Sequence, residues 1–336
     1  MESAPQHVAP GHALVTGVAG FVGSHLADAL LRQGTRVVGL DRCPPDRGSA
    51  AANLRSSLGH PAFDYVRADL RDEDLAPAVA GAEVVFHLAG QPGVRPSWGE
   101  TFPDYLACNV LATQRLMVEC ERQGVPRLVL ASSSSVYGRI AEGLGCREDA
   151  PARPLSPYGV TKLAAEQLCL AFAQRPAAGT SVIALRYFTV YGPRQRPDML
   201  IDRALRAALS GMPLHLYGDG SARRDFTYVD DVVAATLAAA AAPARAEVVN
   251  VGGGRSVSVA ELLEIVGRVA GAAVPTRVSP AQPGDVEATL ADPRKAGELL
   301  GWKPQVDLST GVARQLEWLA RRAPVGGTRV VGGDRP

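Results

Sequence analysis

Three glycines set three apart, Gly17, Gly20 and Gly23, follow directly on the apolar run His12-Ala-Leu-Val-Thr16 and open a second apolar stretch through Leu26, Ala29 and Leu30 to Gly34. The first run reads as a short buried strand, the glycines as a tight turn, and the second stretch as a helix. Arg36-Val-Val-Gly-Leu-Asp41 then reads as another strand, ending in a carboxylate. Such a β-α-β unit can do something specific. Small residues at Gly17, Gly20 and Gly23 let the helix-start amides of Phe21 and Val22 approach a pyrophosphate, and an acid at the end of the second strand accepts from a ribose 2′-hydroxyl. The expected ligand is a dinucleotide. The spacing is G-x-x-G-x-x-G and not G-x-G-x-x-G, so it is the strand-loop-helix-strand-acid context that carries the reading. Asp41 would repel a 2′-phosphate, which Arg42 beside it offsets only in part, so NAD is favoured over NADP.

The alternation continues. Phe63 to Arg67 reads as a strand ending at Asp69, Leu70 to Ala80 as a helix, and Glu83 to Leu88 as a strand leading into Ala89-Gly90, small enough for close approach to a cofactor. A long helix over 104–123 holds Asn109 near its start; Arg127 to Ala131 is a strand, Tyr158 to Gln174 a helix and Val182 to Tyr187 a strand. Strands alternating with helices imply an α/β fold, a Rossmann-type doubly wound parallel sheet. Past Tyr187 the texture changes to arginine-bearing Gly/Pro-rich loops, Tyr191-Gly-Pro-Arg194-Gln-Arg196-Pro and Tyr217-Gly-Asp-Gly-Ser-Ala-Arg-Arg224-Asp-Phe, which suit a phosphate-bearing substrate. Helices are expected near 230–242, 258–271, 292–300 and 309–322. The expected division is a cofactor domain over 11–187 plus about 225–252, a smaller substrate lobe over 188–224 and 253–322, and a loose tail over 323–336, with the Pro-rich first ten residues also disordered.

At 336 residues the chain is long enough for a full core and a two-lobed enzyme. A net charge of +1 gives no long-range field to draw in nucleic acid or an anionic membrane. The longest apolar run, Val232 to Pro243, is too short to span a bilayer, and no signal-like N-terminus is present, so a soluble cytoplasmic protein is expected. The five cysteines lie in no C-x-x-C pair and the six histidines show no metal-ligand spacing, which points away from disulfides and metal. His87, inside Val84-Val-Phe-His87-Leu88, reads as a satisfied core residue.

The chemistry is concentrated between Ser132 and Lys162. Tyr158 and Lys162 are four apart, so on a helix the phenol and the ammonium share a face. A free phenol has a pKa near ~10, and a cation close by favours the phenolate, as would an oxidised nicotinamide. Only three of the 35 basic residues are lysines, so a lysine kept here points to a need for the amine.

Taken in order, Gly17-x-x-Gly20-Phe-Val-Gly23-Ser-His-Leu, Ser132-Ser-Ser-Ser135-Val-Tyr-Gly, Tyr158-x-x-x-Lys162, Arg186-Tyr-Phe-Thr-Val-Tyr-Gly-Pro-Arg-Gln and Arg224-Asp-Phe-Thr-Tyr-Val-Asp resemble the extended short-chain dehydrogenase/reductases, and among them the nucleotide-sugar 4-epimerases. The resemblance covers about residues 11 to 322. It is strongest to bacterial UDP-glucuronate 4-epimerases, including the moenomycin-pathway type, through Pro92-Gly-Val-Arg95-Pro-Ser-Trp98, Leu155-Ser-Pro-Tyr158-Gly-Val-Thr-Lys162 and Thr189. It implies that Ser133 hydrogen-bonds the sugar O4, that Tyr158 removes its proton, and that Lys162 tunes Tyr158 and holds the nicotinamide ribose while hydride passes from C4 to NAD and back. It implies further NAD contacts at Asp69, Leu70, Leu88, Ala89, Gly90, Asn109 and Tyr187, and UDP-sugar contacts at Arg95, Ser134, Ser135, Thr189, Arg196, Arg224 and Asp285. It also implies a homodimer through the helices near 104–123 and 158–174. One departure is Gln282, where many relatives carry arginine. Dehydratases of this family place an Asp-Glu pair, and decarboxylases a Glu, where Ser134 and Ser135 stand, and a hydroxyl cannot replace a carboxylic acid in eliminating water. A UDP-glucose 4-epimerase and a non-catalytic NAD-binding regulator are the alternatives, the second opposed by the intact Ser133, Tyr158 and Lys162.

Overall fold

The computed structural model describes residues 10–139, 145–280 and 286–322. Its first half repeats strand and helix: β1 (His12–Thr16), α1 (Phe21–Arg32), β2 (Arg36–Asp41), α2 (Gly48–Asn53), β3 (Phe63–Arg67), α3 (Ala76–Val79) and β4 (Val84–His87). The next helix is α4 (Phe102–Leu106), which passes through a π-helical turn (Ala107–Leu111) into α5 (Ala112–Arg122); β5 (Arg127–Ser133), α6 (Pro157–Gln174) and β6 (Ser181–Tyr187) follow. The rest comprises β7 (Thr189–Tyr191), α7 (Leu200–Ser210), β8 (Leu214–Tyr217), β9 (Arg223–Tyr228), α8 (Val229–Ala241), β10 (Ala246–Val251), β11 (Ser256–Ser258), α9 (Val259–Ala270), β12 (Thr276–Ser279), α10 (Arg294–Leu300) and α11 (Leu308–Ala320).

Seven strands form one parallel sheet in the order β10-β6-β5-β4-β1-β2-β3. The order reverses between β1 and β4, and in a doubly wound sheet the crevice at the strand ends on either side of that point is where ligands bind. The doubly wound α/β architecture expected from the strand-helix alternation is therefore the one observed. Both faces are dry. Val15, Phe86, Val129, Ile183 and Val249 pack under Leu26 and Leu30 of α1 and Val232 and Ala235 of α8, while Leu14, Val85, Leu128, Leu130 and Val182 pack under Leu116 and Met117 of α5 and Cys169 and Ala173 of α6. Neighbouring residues along each strand point to opposite faces, which explains why these strands read as continuous apolar runs.

A second core lies over the strand ends. Ile201 and Leu205 of α7, Leu262 and Val266 of α9, and Val312 and Leu319 of α11 surround Phe226 and Tyr228 of β9. Strand β9 sits between β7 and β11 in a three-stranded sheet, and β8 pairs with β12. The segment from 223 on thus starts in this small sheet and joins the large one only at β10.

Two expectations need correction. The helix expected over 70–80 is confined to Ala76–Val79, because Asp69 and Asp74 turn the chain first: Asp69 accepts from Arg71 N, and Asp74 Oδ1 accepts from Ala76 N at 3.0 Å and so starts the helix late. Helix α7 lies where only loop was expected. Its apolar positions Ile201, Ala204, Leu205 and Ala208 follow helical spacing, and Gly211 ends it at φ +72°. The tail over 323–336 and residues 1–9 lie outside the described residues.

Candidate active site

Two glycines of the first turn leave no space for a side chain. A Cβ on Gly17, at φ +71°, would lie 2.7 Å from Ala89 N, and one on Gly23 would lie 2.2 Å from Gly17 O. The turn therefore packs against both the segment after β4 and its own helix. Helix α1 begins at Gly20 with no side-chain cap, so its first amides, those of Phe21 and Val22 among them, are left for an outside acceptor, and an anion there is stabilised by both the amides and the helix dipole. Asp41 stands at the tip of β2, with Oδ2 accepting from Ala19 N at 3.1 Å and Oδ1 from Cys43 N at 3.0 Å. Beside it a cavity of about 510 Å³ is lined by Arg42, Arg67, Ala68, Asp69 and Glu73. Arg71 grips Asp69 with two bonds of 3.0 and 2.8 Å and holds its carboxyl below the usual range, while Leu70 is buried in the core. An uncapped helix start, a glycine turn and an acid at the tip of the second strand fit a dinucleotide.

Across the switch point, Leu88, Ala89 and Gly90 follow β4. A Cβ on Gly90 would lie 2.9 Å from Asn109 Oδ1 and 3.8 Å from Lys162 Nζ, so this segment, the π turn and α6 meet with no space for a side chain. Asn109 is fully engaged. It accepts from Gln91 N at 2.7 Å and donates to Gln91 O at 3.1 Å and Thr161 Oγ1 at 3.0 Å, so both its amide hydrogens are committed within the protein. The hydroxyl of Tyr187 is likewise paired, with Thr236 at 2.7 Å.

Tyr158 and Lys162 lie one turn apart on α6, which starts at Ser156 through a bond from Gly159 N to Ser156 Oγ of 3.1 Å, with Pro157 in the first turn. Gly159 lets the helix sit tight against the serine turn: a Cβ there would be 2.5 Å from Ser135 O. Ser133 ends β5 and accepts from Ser135 N at 3.2 Å, and its hydroxyl acts to lower the pKa of the Tyr158 phenol. Ser134 and Ser135 form the partly exposed turn that follows. Tyr105 presents its ring edge to Tyr158, with centroids 6.3 Å apart.

Burial is the largest influence on Tyr158 and Lys162. It raises the Tyr158 pKa, opposed by the Ser133 hydrogen bond and the charge of Arg196. Burial also pushes the Lys162 ammonium down to about 8, opposed by Cys169 and Glu166. Desolvation is thus the largest cause at both groups in the protein alone, opposed at the phenol by Ser133 and the charge of Arg196.

The substrate side is formed by loops. Thr189 opens β7, paired in register with Phe226 of β9, and is partly exposed. Arg196 grips Asp198 at 3.0 and 2.9 Å while its charge reaches Tyr158 and Tyr105. Arg95 instead stacks over the Tyr217 ring at 4.3 Å, reaching the end of β8, and Arg224 donates to Arg223 O at 2.8 Å. Asp285 and Gln282 lie outside the described residues.

Two supporting side chains escaped the sequence reading. Glu166, fully buried, takes two bonds from Arg186 (3.0 and 2.6 Å) and one from Ser132 Oγ (2.7 Å), so it ties the strand of Ser133 to the helix of Tyr158. Asp225 accepts from Gly253 N, Gly254 N and Ala291 N at 2.6, 3.1 and 2.9 Å, and burial lifts its carboxyl to about 6 against those donors. Glu166 could have been found at helical spacing, four residues beyond Lys162; the partners of Asp225, at least 28 residues away, leave no local trace.

Among the described residues no group of His, Cys, Asp and Glu could hold a metal ion, and no helix is long and apolar enough to cross a membrane. The family model described as the NAD dependent epimerase/dehydratase family matches residues 13–252. An uncharacterised UDP-glucose epimerase, YtcB, of Bacillus subtilis is 39% identical over 311 residues, covering 91% of this chain and 97% of the relative. The structure of MoeE5 in complex with UDP-glucuronic acid and NAD is similar at 50% identity and a TM-score of 0.84, covering 93% of this chain and 99% of that one. The UDP-glucuronic acid 4-epimerase of Bacillus cereus, in complex with UDP-glucuronic acid and NAD, is 37% identical with a TM-score of 0.87, covering 92% and 99%. With the fold, the glycine turn and the serine-tyrosine-lysine set in agreement, this chain belongs to the NAD-dependent epimerase/dehydratase family, and NAD is its cofactor.

Proposed function

We propose that this chain is a UDP-sugar 4-epimerase and that its substrate is a UDP-uronate, interconverting UDP-glucuronate and UDP-galacturonate. Ser133 holds the sugar O4 beside the Tyr158 phenol, and Tyr158 takes the O4 proton. Lys162, one turn on and against Gly90, holds the nicotinamide ribose and keeps a positive charge at the site. The amides of Phe21 and Val22 and the glycine turn bind the pyrophosphate, Asp41 the adenosine ribose, and Leu70 and the Asp69-lined cavity the adenine end, with Leu88 to Gly90 and Tyr187 flooring the catalytic end. NAD, when bound, supplies a hydride acceptor for C4 that returns the hydride to the other face. Arg224, with Asp285 beyond it in sequence, binds the nucleotide, and Arg95 adds a further substrate contact.

What supports the uronate reading is the choice of side chains at the substrate positions. Ser134 and Ser135 offer hydroxyls and no carboxylic acid, Thr189 adds another hydroxyl, and the Arg196 guanidinium acts on the phenol itself. A uronate carboxylate left unpaired in such a site would cost several kcal/mol, and these donors meet that need. They also answer a hazard. Oxidation at C4 makes a β-keto acid, and a carboxylate held charged and fixed is kept from aligning its C–C bond with the carbonyl π system. Thr189→Asn is expected to lower uronate turnover by at least about tenfold with UDP-hexose turnover held or raised; unchanged uronate kinetics in that variant would remove Thr189 from the specificity set. The similarity to a UDP-glucose epimerase makes UDP-glucose the alternative substrate.

The assembly proposed is a homodimer. Leu106, Leu111 and Val118 along α4 to α5 and Val160 on α6 are exposed apolar side chains, and Trp98 and Leu155 flank an apolar cavity of about 480 Å³ beside them. Such a surface is covered by a partner more often than left to water.

A further inference from the structure

His87 ends β4, is 1% exposed, and takes no part in the proton and hydride transfers described above. Its partners fix its chemical state. Thr113 Oγ1 donates to Asn109 O at 2.7 Å, so it can only accept from His87 Nε2, 2.9 Å away; Nε2 therefore carries the ring hydrogen. Nδ1, 2.8 Å from Thr16 Oγ1, is then bare and accepts the Thr16 hydroxyl, whose oxygen accepts in turn from Ala89 N at 3.2 Å. Every donor in this buried chain has one acceptor, and the order runs one way from the Ala89 amide to the Asn109 carbonyl.

The two ends of the chain lie where the 88–91 segment, the π turn and α6 meet. Ala89 and Gly90 lie against the glycine turn and the Lys162 ammonium. Asn109 lies in the π turn, an irregularity that often marks a functional position, and it clamps Gln91 and donates to Thr161, whose hydroxyl donates to Tyr158 O at 2.9 Å. We propose that His87 is a positioning residue for the epimerase reaction: its neutral, Nε2-protonated ring is a fixed spacer that sets the 88–91 segment of the NAD site against the helix carrying Tyr158 and Lys162. Burial and the nearby Lys162 charge hold the ring's pKa down at about 3, so the spacer stays neutral at working pH and its donor order does not change. This inference rests on the epimerase reading and adds to it a residue that touches neither cofactor nor substrate.

The test uses the full chain stripped of cofactor, with NADH binding followed by fluorescence and turnover of UDP-sugar measured after NAD is restored, well below each variant's unfolding temperature. His87→Leu is expected to lose about tenfold in NADH affinity, in kcat or in both, with KM for the UDP-sugar within about twofold, as misplacement without lost substrate contacts requires. Thr113→Val, which breaks the chain at its other end, should move the same way. His87→Gln presents an oxygen acceptor and an N–H donor in the same order, and should recover to within about threefold of wild type. A purely structural role would lower thermal stability and leave these quantities alone. If folded Thr113→Val and His87→Leu keep both affinity and kcat, or if His87→Gln falls as far as His87→Leu, the proposal is wrong; should His87→Leu not fold, Thr113→Val with His87→Gln decides. A wild-type chain that binds no NADH would overturn the epimerase reading, and this one with it, before any variant is made.

Discussion

Lys162 shows what the active site costs the fold. Its amine is buried and its pKa is pushed down to about 8, so below that pH the folded protein carries a charge it would rather shed. A displacement of that size corresponds to roughly 3 kcal/mol against the folded state at neutral pH. The sign follows from proton counting: between about 8 and the ordinary lysine value near ~10.4 the unfolded chain binds more protons, so stability rises with pH across that window. Lys162→Met is therefore expected to abolish epimerisation yet to raise the cofactor-free protein's unfolding temperature at pH 7, with the gap to wild type closing toward pH 10. A lower unfolding temperature at pH 7 would contradict this account of the site. At this scale the sequence was informative about identity and less so about energy. The four-residue spacing put Tyr158 and Lys162 on one face, but whether desolvation or charge dominates depends on which apolar groups surround them, and those come from distant strands. His87 was legible as a core residue from its Val-Val-Phe neighbours, whereas its partners Thr16 and Thr113 lie 71 and 26 residues away and had no local signature.

The junction of the serine turn and α6 decides catalytic geometry among the elements. Ser133 belongs to β5 and Tyr158 to α6, and Gly159 is what allows the helix to lie against the turn, since a Cβ there would meet Ser135 O at 2.5 Å and Pro154 Cβ at 2.9 Å. Gly159→Ala must push the helix start outward, which is expected to destabilise by roughly 1–3 kcal/mol. The accompanying misplacement of Tyr158 from Ser133 is expected to lower kcat by about tenfold or more with NAD still bound. Normal kcat in a folded Gly159→Ala would show that the helix start can yield without moving the phenol. Elements with strong local signals were legible: α6 has its Ser156 cap and first-turn Pro157, and α9 has a Ser258–Glu261 capping box. Strands β7 and β11, three residues each, were not, because their pairing with β9 comes from contacts far along the chain. Helix α7 carried a readable apolar stripe hidden between two arginine-rich loops.

For the whole molecule, the parallel sheet was readable from the alternation of strands and helices, and its switch point between β1 and β4 puts the glycine turn and the Leu88–Gly90 segment side by side. The second lobe was visible only as a change of texture, since the core around Phe226 and Tyr228 is gathered from α7, α9 and α11. The homodimer proposed through α4 to α6 predicts that Leu111→Glu, which places a charge among Leu106, Val118 and Val160, gives a monomer by sedimentation at micromolar concentration where wild type gives twice the mass. A monomeric wild type would remove that assembly. The central claim, reversible inversion at C4 of a UDP-uronate with Tyr158 as base, is met most directly by giving the purified protein and NAD either UDP-glucuronate or UDP-galacturonate and identifying the products over time. The expected result is one common mixture of the two from either side, little UDP-pentose, and a rate at least ~100-fold lower in Tyr158→Phe that still binds the nucleotide sugar. Faster conversion of UDP-galactose than of UDP-galacturonate, or near-normal turnover by Tyr158→Phe, would contradict it.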